Sequence, residues 1–152
     1  MPTNNGDVLL RTARRPGDYP QLVDIWCSAV RATHDFLAES DFQRIESNLA
    51  SAYFPAVTLT VAERDGRAVG FAGTAEGNLE MLFVTDDARG SGIGSLLLAE
   101  TIAKDGVIKV DVNEQNVGAL GFYLSRGFSQ VGRSELDGDG RPYPILHLAL
   151  PG

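Results

Sequence analysis

The chain has 152 residues, a length that normally forms one domain, so a single domain over residues 1–152 is predicted. Hydrophobic residues make up 43% and charged residues 22%, which excludes an intrinsically disordered chain. A net charge of −7 excludes the basic surface that nucleic acids require. The sequence has neither a signal peptide nor a run of about 20 apolar residues, so we expect a cytoplasmic protein that does not enter a membrane. The patterning is compatible with a monomer or a homodimer.

The first third of the chain predicts one strand and two helices. The strand is "VLLRT", and Asp18 followed by Pro20 is typical of a helix start, with Asp18 as N-cap and the helix running to about Val30. A second helix is predicted over "SDFQRIESNLASAYF", capped by Ser40, because its apolar residues recur on one face. Cys27, the single cysteine, lies in the apolar pattern of the first helix, which predicts a structural thiol.

The remainder alternates strands and helices. "VTLTVAER" and "AVGFAGTAE" flank Asp65-Gly66, a typical hairpin turn, and "NLEMLFV" continues the antiparallel meander. A helix over "IGSLLLAETIAK", a strand "VIKVDVN" and a helix ending at Gly127 follow, and two strands, "FSQVGRSEL" and "YPILHLAL", close the chain. The order β-αα-βββ-α-β-α-ββ predicts an α/β (α+β) protein in which helices pack on a mixed sheet.

The stretch "RGSGIGS", residues 89–95, joins a predicted strand to a predicted helix. Unpaired backbone N–H groups and the helix dipole make such a junction an anion site, and glycines let a pyrophosphate approach the backbone. A P-loop is excluded because no Gly-Lys-Ser/Thr occurs. Gly90, Gly92 and the later Asp111 partly fit a dinucleotide fingerprint, but Ser95 replaces its third glycine and a meander precedes it, so this alternative is weaker.

Two segments together resemble the GCN5-related N-acetyltransferases, the GNAT family. "LFVTDDARGSGIGSLL" is similar to the family's acetyl-CoA-binding motif, with Arg89, Gly92 and Gly94 in the expected positions. "NVGALGFYLSRGF" is similar to its second motif, with Asn116 and Tyr123 in place. More narrowly, most of the chain resembles the YjaB-type bacterial branch. The resemblance implies a twisted, mostly antiparallel sheet of about seven strands with about four helices.

The resemblance also implies an activity, which is acetyl-CoA-dependent acetylation of a primary amine, on a protein lysine or a small molecule, by direct attack in a ternary complex. In this family the strand edge at residues 82–84 holds the pantetheine arm and donates a main-chain N–H to the thioester oxygen. The predicted cofactor-binding residues are Leu82, Phe83, Val84, Arg89, Gly90, Ser91, Gly92, Ile93, Gly94, Ser95, Asn116 and Tyr123.

Two catalytic residues are predicted. Tyr123 occupies the family's proton-donor position, and a tyrosine is protonated at neutral pH. Glu80 is the candidate base for the amine, because strand alternation would place it on one face with Leu82 and Val84; a solvated strand carboxylate is the alternative reading. Asn116 is expected to bind the cofactor or to cap its helix.

Acceptor contacts are predicted in the helix pair and the last strands. His34 is a candidate second base or acceptor contact, and Asp35, Phe36 and Tyr143 are candidate pocket walls. His147 alternates with apolar strand residues and is read as structural, and no metal is expected because the two histidines and one cysteine lack ligand spacing. A non-catalytic acyl-CoA sensor and a dinucleotide-binding domain remain the alternatives.

Overall fold

Seven strands form one sheet in the computed structural model, which describes residues 8–151. Its spatial order is β1-β2-β3-β4-β5-β7-β6, and every neighbouring pair is antiparallel except β4–β5. The strands are β1 Leu9–Thr12, β2 Thr58–Arg64, β3 Arg67–Ala75, β4 Asn78–Val84, β5 Lys109–Asn113, β6 Ser129–Ser134 and β7 Ile145–Ala149. This confirms the predicted mixed, mostly antiparallel sheet.

Four α-helices cover the two faces of the sheet, and their order along the chain is the predicted one. They are α1 Tyr19–Thr33, α2 Glu39–Asn48, α3 Ile93–Asp105 and α4 Val117–Ser125. Apolar residues of α1 and α2 bury Phe71 and Val61 on one face, whereas α3 and α4 pack on Val69, Val110 and Val112 on the other. The sheet therefore separates two apolar cores.

The predicted N-caps of α1 and α2, Asp18 and Ser40, are both wrong. Asp18 stands at the N-cap position of α1, but its carboxylate accepts hydrogen bonds from the Arg11 guanidinium at 2.7 Å and the Arg14 N–H at 2.6 Å instead of capping the helix. Helix α2 begins at Glu39 after Ala38, so Ser40 lies inside its first turn. A nearby arginine competes more strongly for a carboxylate than backbone N–H groups do.

The second helix is also shorter than predicted. Its α-helical part ends at Asn48, and the chain continues as a π-turn over Leu49–Tyr53 and a 3-10 turn over Phe54–Ala56. The wider turn still places Leu49 and Phe54 in the core beside α1. Pro55 lacks an N–H and is tolerated in the first turn of this 3-10 segment. The predicted hairpin at Asp65-Gly66 is confirmed, with φ of 57° and 76°.

Strands β4 and β5 form a fork. Their parallel pairing consists of Asn78 with Lys109 and Leu79 with Val110, and it stops there. Strand β4 also carries a bulge against β3, since Gly73 pairs with Met81 but Thr74 pairs with Leu79, which leaves Glu80 as the extra residue. The fork opens a cleft in the middle of the sheet.

Candidate active site

The cleft at the fork is lined by both strands and by the start of α4. Its walls are residues 79–83 of β4, residues 110–113 of β5, and the side chains of His34, Asn116, Ala119 and Tyr123. Glu80 and Asp111 are the first residues beyond the last paired residues of their strands. Two carboxylates thus stand where the strands separate, and Tyr123 lines the same space.

The bulge corrects the predicted orientation of Glu80. Leu79, Leu82 and Val84 pack on the α3–α4 side of the sheet, whereas Met81 and Phe83 pack on the α1–α2 side. Leu79 and Leu82 are three residues apart, and in a regular strand an odd spacing would place them on opposite faces. Simple alternation therefore fails at the extra residue, because a bulge shifts the side-chain parity. Glu80 is exposed, accepts a hydrogen bond from Asn78 at 2.6 Å, and lines a cavity on the α1–α2 side as well as the cleft.

Strand β4 offers main-chain donors to the cleft. The Thr85 N–H donates to the Val69 carbonyl at 2.9 Å. Because antiparallel hydrogen bonding recurs every second residue, the backbone N–H of Phe83 also points toward β3. The N–H groups of Leu82 and Val84 then point the other way, toward the unpaired edge beside β5. Of the three predicted strand residues, these two present donors to the cleft.

The glycine loop forms its own cavity at the start of α3. Gly92 is the N-cap of α3 and has a φ of +87°, a left-handed conformation that disfavours other residues. The cavity is lined by residues 88–90 and 92–95, together with Val84, Phe122 and Arg126. The Arg89 guanidinium pairs with Asp86 at 2.9 Å, so the loop's anion-binding groups are mainly the free N–H groups of the first helical turn.

Arg126 is a site residue that the sequence analysis missed. Its guanidinium lies 4.2 Å from the centre of the Phe122 ring and donates a hydrogen bond to Ser95 Oγ. It therefore adds a second cation to the loop cavity from the far end of α4. Its place three residues after Tyr123 of the second motif, a spacing that puts both residues on one side of a helix, is the signal that could have found it.

These spaces adjoin one another. The loop cavity shares Val84, Gly94 and Phe122 with a groove along α4, and that groove shares Leu82, Asn116 and Tyr123 with the cleft. The path therefore runs from the helix N-terminus along the edge of β4 to the two carboxylates. An elongated ligand with an anionic end and a reactive end fits this shape.

Tyr123 lies at the inner end of the path. Its ring packs edge-on against Phe122 and Phe128, and only 7% of the residue is exposed. Burial raises the pKa of its hydroxyl well above the usual value for tyrosine. Tyr123 lines the cleft, and burial alone, with no contribution from a hydrogen bond, accounts for this rise in pKa.

A hydrogen-bond chain fixes His34 at the cleft. Asn116 Oδ1 accepts the Ala119 N–H at 3.1 Å and so caps α4, which turns its Nδ2 toward His34 Nε2 at 3.4 Å. His34 Nδ1 in turn lies 2.7 Å from Thr33 Oγ1, whose hydroxyl donates to the Ala29 carbonyl. This network favours a neutral ring with the proton on Nδ1. Burial lowers the pKa of His34, in the same direction.

The other predicted acceptor residues are not brought to these spaces. Tyr143 is buried, its hydroxyl donates to the Asp41 carboxylate and accepts the Ala38 N–H, and its ring lies 6.3 Å from that of Phe36. The bond to Asp41 is the main cause of a raised Tyr143 pKa. Asp35 is exposed. Phe36 and Tyr143 form a contact between the α1–α2 loop and the segment before β7, and the role of all three residues in acceptor binding stays a prediction.

Cys27 and His147 are the two residues that the sequence analysis predicts to be structural. Burial raises the pKa of Cys27 to about 12, and its thiol donates to Glu46, as a structural cysteine requires. His147 bridges Ser134 Oγ and Asp111 Oδ1, each at 2.7 Å, so it supports a carboxylate of the cleft. Asp111 thus lies at the cleft, a place that the sequence analysis did not predict for it.

Residues 8–151 contain no group of three or more histidine, cysteine or acidic residues that could hold a metal ion. In the same range no helix has the length and apolar content needed to cross a membrane.

A family model described as an acetyltransferase (GNAT) domain matches residues 28–143. The chain belongs to the GNAT family. The predicted family is thereby confirmed, and the dinucleotide-binding alternative loses its support. The GNAT assignment makes this protein an acetyltransferase.

Known GNAT proteins match over nearly the whole chain. Peptidyl-lysine N-acetyltransferase YjaB of Escherichia coli strain K12 is 41% identical over 134 residues, covering 87% of this chain and 90% of that protein. The solution structure of apo YjaB from Escherichia coli has a TM-score of 0.85 at 38% identity, covering 95% and 98% of the two chains. The PaiA N-acetyltransferase of Thermoplasma acidophilum, solved in complex with coenzyme A, has a TM-score of 0.74 at 17% identity, covering 95% and 99%, and shows the shared fold.

Proposed function

We propose that this GNAT enzyme transfers the acetyl group of acetyl-CoA to a primary amine by direct attack in a ternary complex. The observation that carries the proposal is the row of adjoining cavities from the glycine loop, along the free edge of β4, to Tyr123 and the two carboxylates. Family membership supports acetyl-CoA as the donor, and so does the coenzyme A complex of the PaiA protein.

The residues along the path fit the parts of acetyl-CoA in order. The N–H groups at the start of α3 and the Arg126 guanidinium suit the pyrophosphate. The unpaired edge of β4 suits the amide groups of the pantetheine arm, which can bond to a strand as another strand would. The Leu82 or Val84 N–H suits the thioester oxygen, where it would stabilise negative charge that develops during transfer.

The proton transfers can be assigned to groups at the fork. As the new C–N bond forms and the C–S bond breaks, the buried Tyr123 hydroxyl donates a proton to the departing sulfur. Glu80, at the fork, first takes one proton from the ammonium, directly or through water, so that the neutral amine can attack, and the second N–H proton, lost as the amide forms, restores the Tyr123 hydroxyl. Asp111 with its His147 partner, and the neutral His34 ring, are the other groups that line this space and could accept the ammonium proton.

The acceptor is proposed to be the side-chain amine of a protein lysine. This rests on the YjaB proteins, which are named peptidyl-lysine N-acetyltransferases and are about 40% identical to this chain. A small-molecule amine is the alternative. The cytoplasmic location, the single domain over 1–152 and the monomeric or homodimeric state stay predictions from the sequence.

Calorimetric titration with acetyl-CoA tests the donor site. The wild type is expected to bind with micromolar affinity, and the double variant Arg89→Ala, Gly92→Ala is expected to lose most of that binding. The hairpin change Gly66→Ala, Arg67→Ala is the matched control, because it also replaces an arginine and a glycine of positive φ but lies outside the path.

Turnover separates an enzyme from an acyl-CoA sensor. Release of free thiol from acetyl-CoA in the presence of lysine peptides supports the transferase, and Glu80→Gln compared with Asp111→Asn shows which carboxylate takes the proton. Acetyl-CoA binding without thiol release for any amine would favour the sensor. No binding of acetyl-CoA would refute the proposed function.

A further inference from the structure

His147 stands in the middle of a row of three residues that crosses strands β5, β7 and β6. In the ladders of the sheet it pairs with Asp111 on one side and with Gly132 on the other. The leucines before and after His147, and the valines before and after Asp111, are buried in the core beneath α3 and α4. Because side chains alternate along a strand, His147 and Asp111 both point away from that core, on the opposite face of the sheet.

A bulge in β6 brings Ser134 to the same face. Gln130 and Gly132 pair with consecutive residues of β7, so Val131 is an extra residue. The extra residue shifts the side-chain parity of the rest of the strand, and Ser134 therefore faces His147 instead of the core. The imidazole lies directly over the backbone of Gly132, where a Cβ would be 3.4 Å from the ring carbon Cδ2.

The three polar side chains form one hydrogen-bonded chain. His147 Nδ1 lies 2.7 Å from Asp111 Oδ1, and His147 Nε2 lies 2.7 Å from Ser134 Oγ. An ionised carboxylate only accepts hydrogen bonds, so Nδ1 carries a proton and donates it to Asp111. A hydroxyl both donates and accepts, so Ser134 can bond Nε2 whether or not that nitrogen is protonated. The ring is therefore held in both of its charge states.

This chain fixes a carboxylate that would otherwise turn freely in water. The Asp111 side chain is 52% exposed, and it lines the cleft at the first position of β5 beyond the pairing with β4. A charge that is already in place stabilises a transition state better than one that must reorient during the reaction. Because His147 holds Oδ1, the other oxygen, Oδ2, is the one that can serve the cleft.

We propose that His147 and Ser134 are positioning residues that hold Asp111 as a fixed negative charge beside the reacting nitrogen. This inference rests on the proposed acetyltransferase function. As the C–N bond forms, the amine nitrogen becomes positively charged and the thioester oxygen becomes negatively charged. Asp111 stabilises the positive charge until the nitrogen loses its proton, as the N–H groups of β4 stabilise the negative one. Asp111 takes no proton itself, since Glu80 and Tyr123 receive the two that leave the nitrogen.

Two substitutions of His147 separate the roles of its two nitrogens. In His147→Asn the side-chain amide can replace Nδ1 and donate to Asp111, whereas in His147→Gln the longer amide reaches the position of Nε2 beside Ser134. The assay measures thiol release from acetyl-CoA with the lysine peptide that the wild type acetylates fastest. Solvent screens a half-exposed charge, so kcat/KM for the peptide is expected to fall about tenfold in His147→Gln and less than about threefold in His147→Asn. The free energy of unfolding and the Kd for acetyl-CoA are expected to be alike in the two variants, so a loss of structure would not produce this difference.

A double-mutant cycle tests whether His147 acts through Asp111. Asp111→Asn is expected to lower kcat/KM about tenfold, and the addition of His147→Gln is expected to cost less than about twofold more. Independent effects would multiply to roughly a hundredfold. Ser134→Ala is expected to lower kcat/KM by less than His147→Gln does, and Ser134→Thr, which keeps the hydroxyl, is expected to restore it.

Three results would overturn the positioning role while leaving the transferase intact. They are equal rates for His147→Gln and His147→Asn, multiplying effects in the cycle, and a wild-type rate in Asp111→Asn. A larger loss in Asp111→Asn than in Glu80→Gln would also overturn it, because Asp111 would then be the proton acceptor. Failure of the proposed function would appear differently, as no thiol release from acetyl-CoA with any amine.

Discussion

Replacing Tyr123 with phenylalanine removes one oxygen atom from the inner end of the cofactor path. No hydrogen bond from residues 8–151 contributes to the pKa of this hydroxyl, and the ring keeps its edge-on contacts with Phe122 and Phe128. The free energy of unfolding is therefore expected to change by less than about 0.5 kcal/mol. If the hydroxyl protonates the departing sulfur, kcat is expected to fall about 10²- to 10⁴-fold.

The assay pairs turnover with binding. Thiol release gives kcat, and calorimetry gives the Kd for acetyl-CoA, which is expected to stay within about twofold because phenylalanine keeps the packing surface. A hundredfold loss in kcat corresponds to roughly 2.7 kcal/mol of transition-state stabilisation. Since burial raises the pKa of Tyr123 above its ordinary value of 10, the wild-type rate is not expected to fall from Tyr123 ionisation below about pH 9. An unchanged kcat in the phenylalanine variant would refute the assignment of Tyr123 as the acid.

Substitutions at four further positions test the groups around the loop cavity and the cleft. Gly92→Ala is expected to cost about 1 kcal/mol of stability, because its φ is +87°, as measured by urea unfolding. Gly94→Ala has room beside Phe122, with the nearest ring atom at 3.7 Å, so it should leave stability unchanged but raise the Kd for acetyl-CoA about tenfold by obstructing the loop cavity. Asn116→Ala is expected to lose about 1 kcal/mol with the α4 cap, and Asn116→Asp less, since aspartate keeps the acceptor. Burial lowers the pKa of His34, so its neutral form contributes stability above pH 6.5 that is lost as the pH falls through the lowered value. His34→Gln is expected to reduce this acid loss of stability when the free energy of unfolding is measured against pH. Equal unfolding curves for Gly92→Ala and Gly94→Ala would contradict the glycine argument. An Asn116→Ala variant as stable as the wild type would contradict the cap argument. An unchanged loss of stability at acid pH in His34→Gln would contradict the histidine argument.

Local patterns predicted the elements well because each pattern reflects short-range chemistry. Alternating apolar residues and the Asp65-Gly66 turn fixed the β2–β3 hairpin, and the glycine stretch marked the start of α3. The helix caps were harder. Asp18 has the right residue type in the right place, but Arg11, seven residues away and on another element, takes its carboxylate. No local pattern carries that competition.

The sequence by itself determined the family, the order of elements and the loop and helix that present backbone N–H groups, since these depend on neighbours in the chain. The tertiary structure alone decided how the site is assembled. The bulge at Glu80 arises from how β4 pairs with β3, and it reverses the side-chain parity that the sequence implies. The fork brings Asp111 opposite Glu80, and the turn of α4 carries Arg126 to Ser95, 31 residues away. Such contacts are set by strand register and helix packing, which depend on the whole sheet.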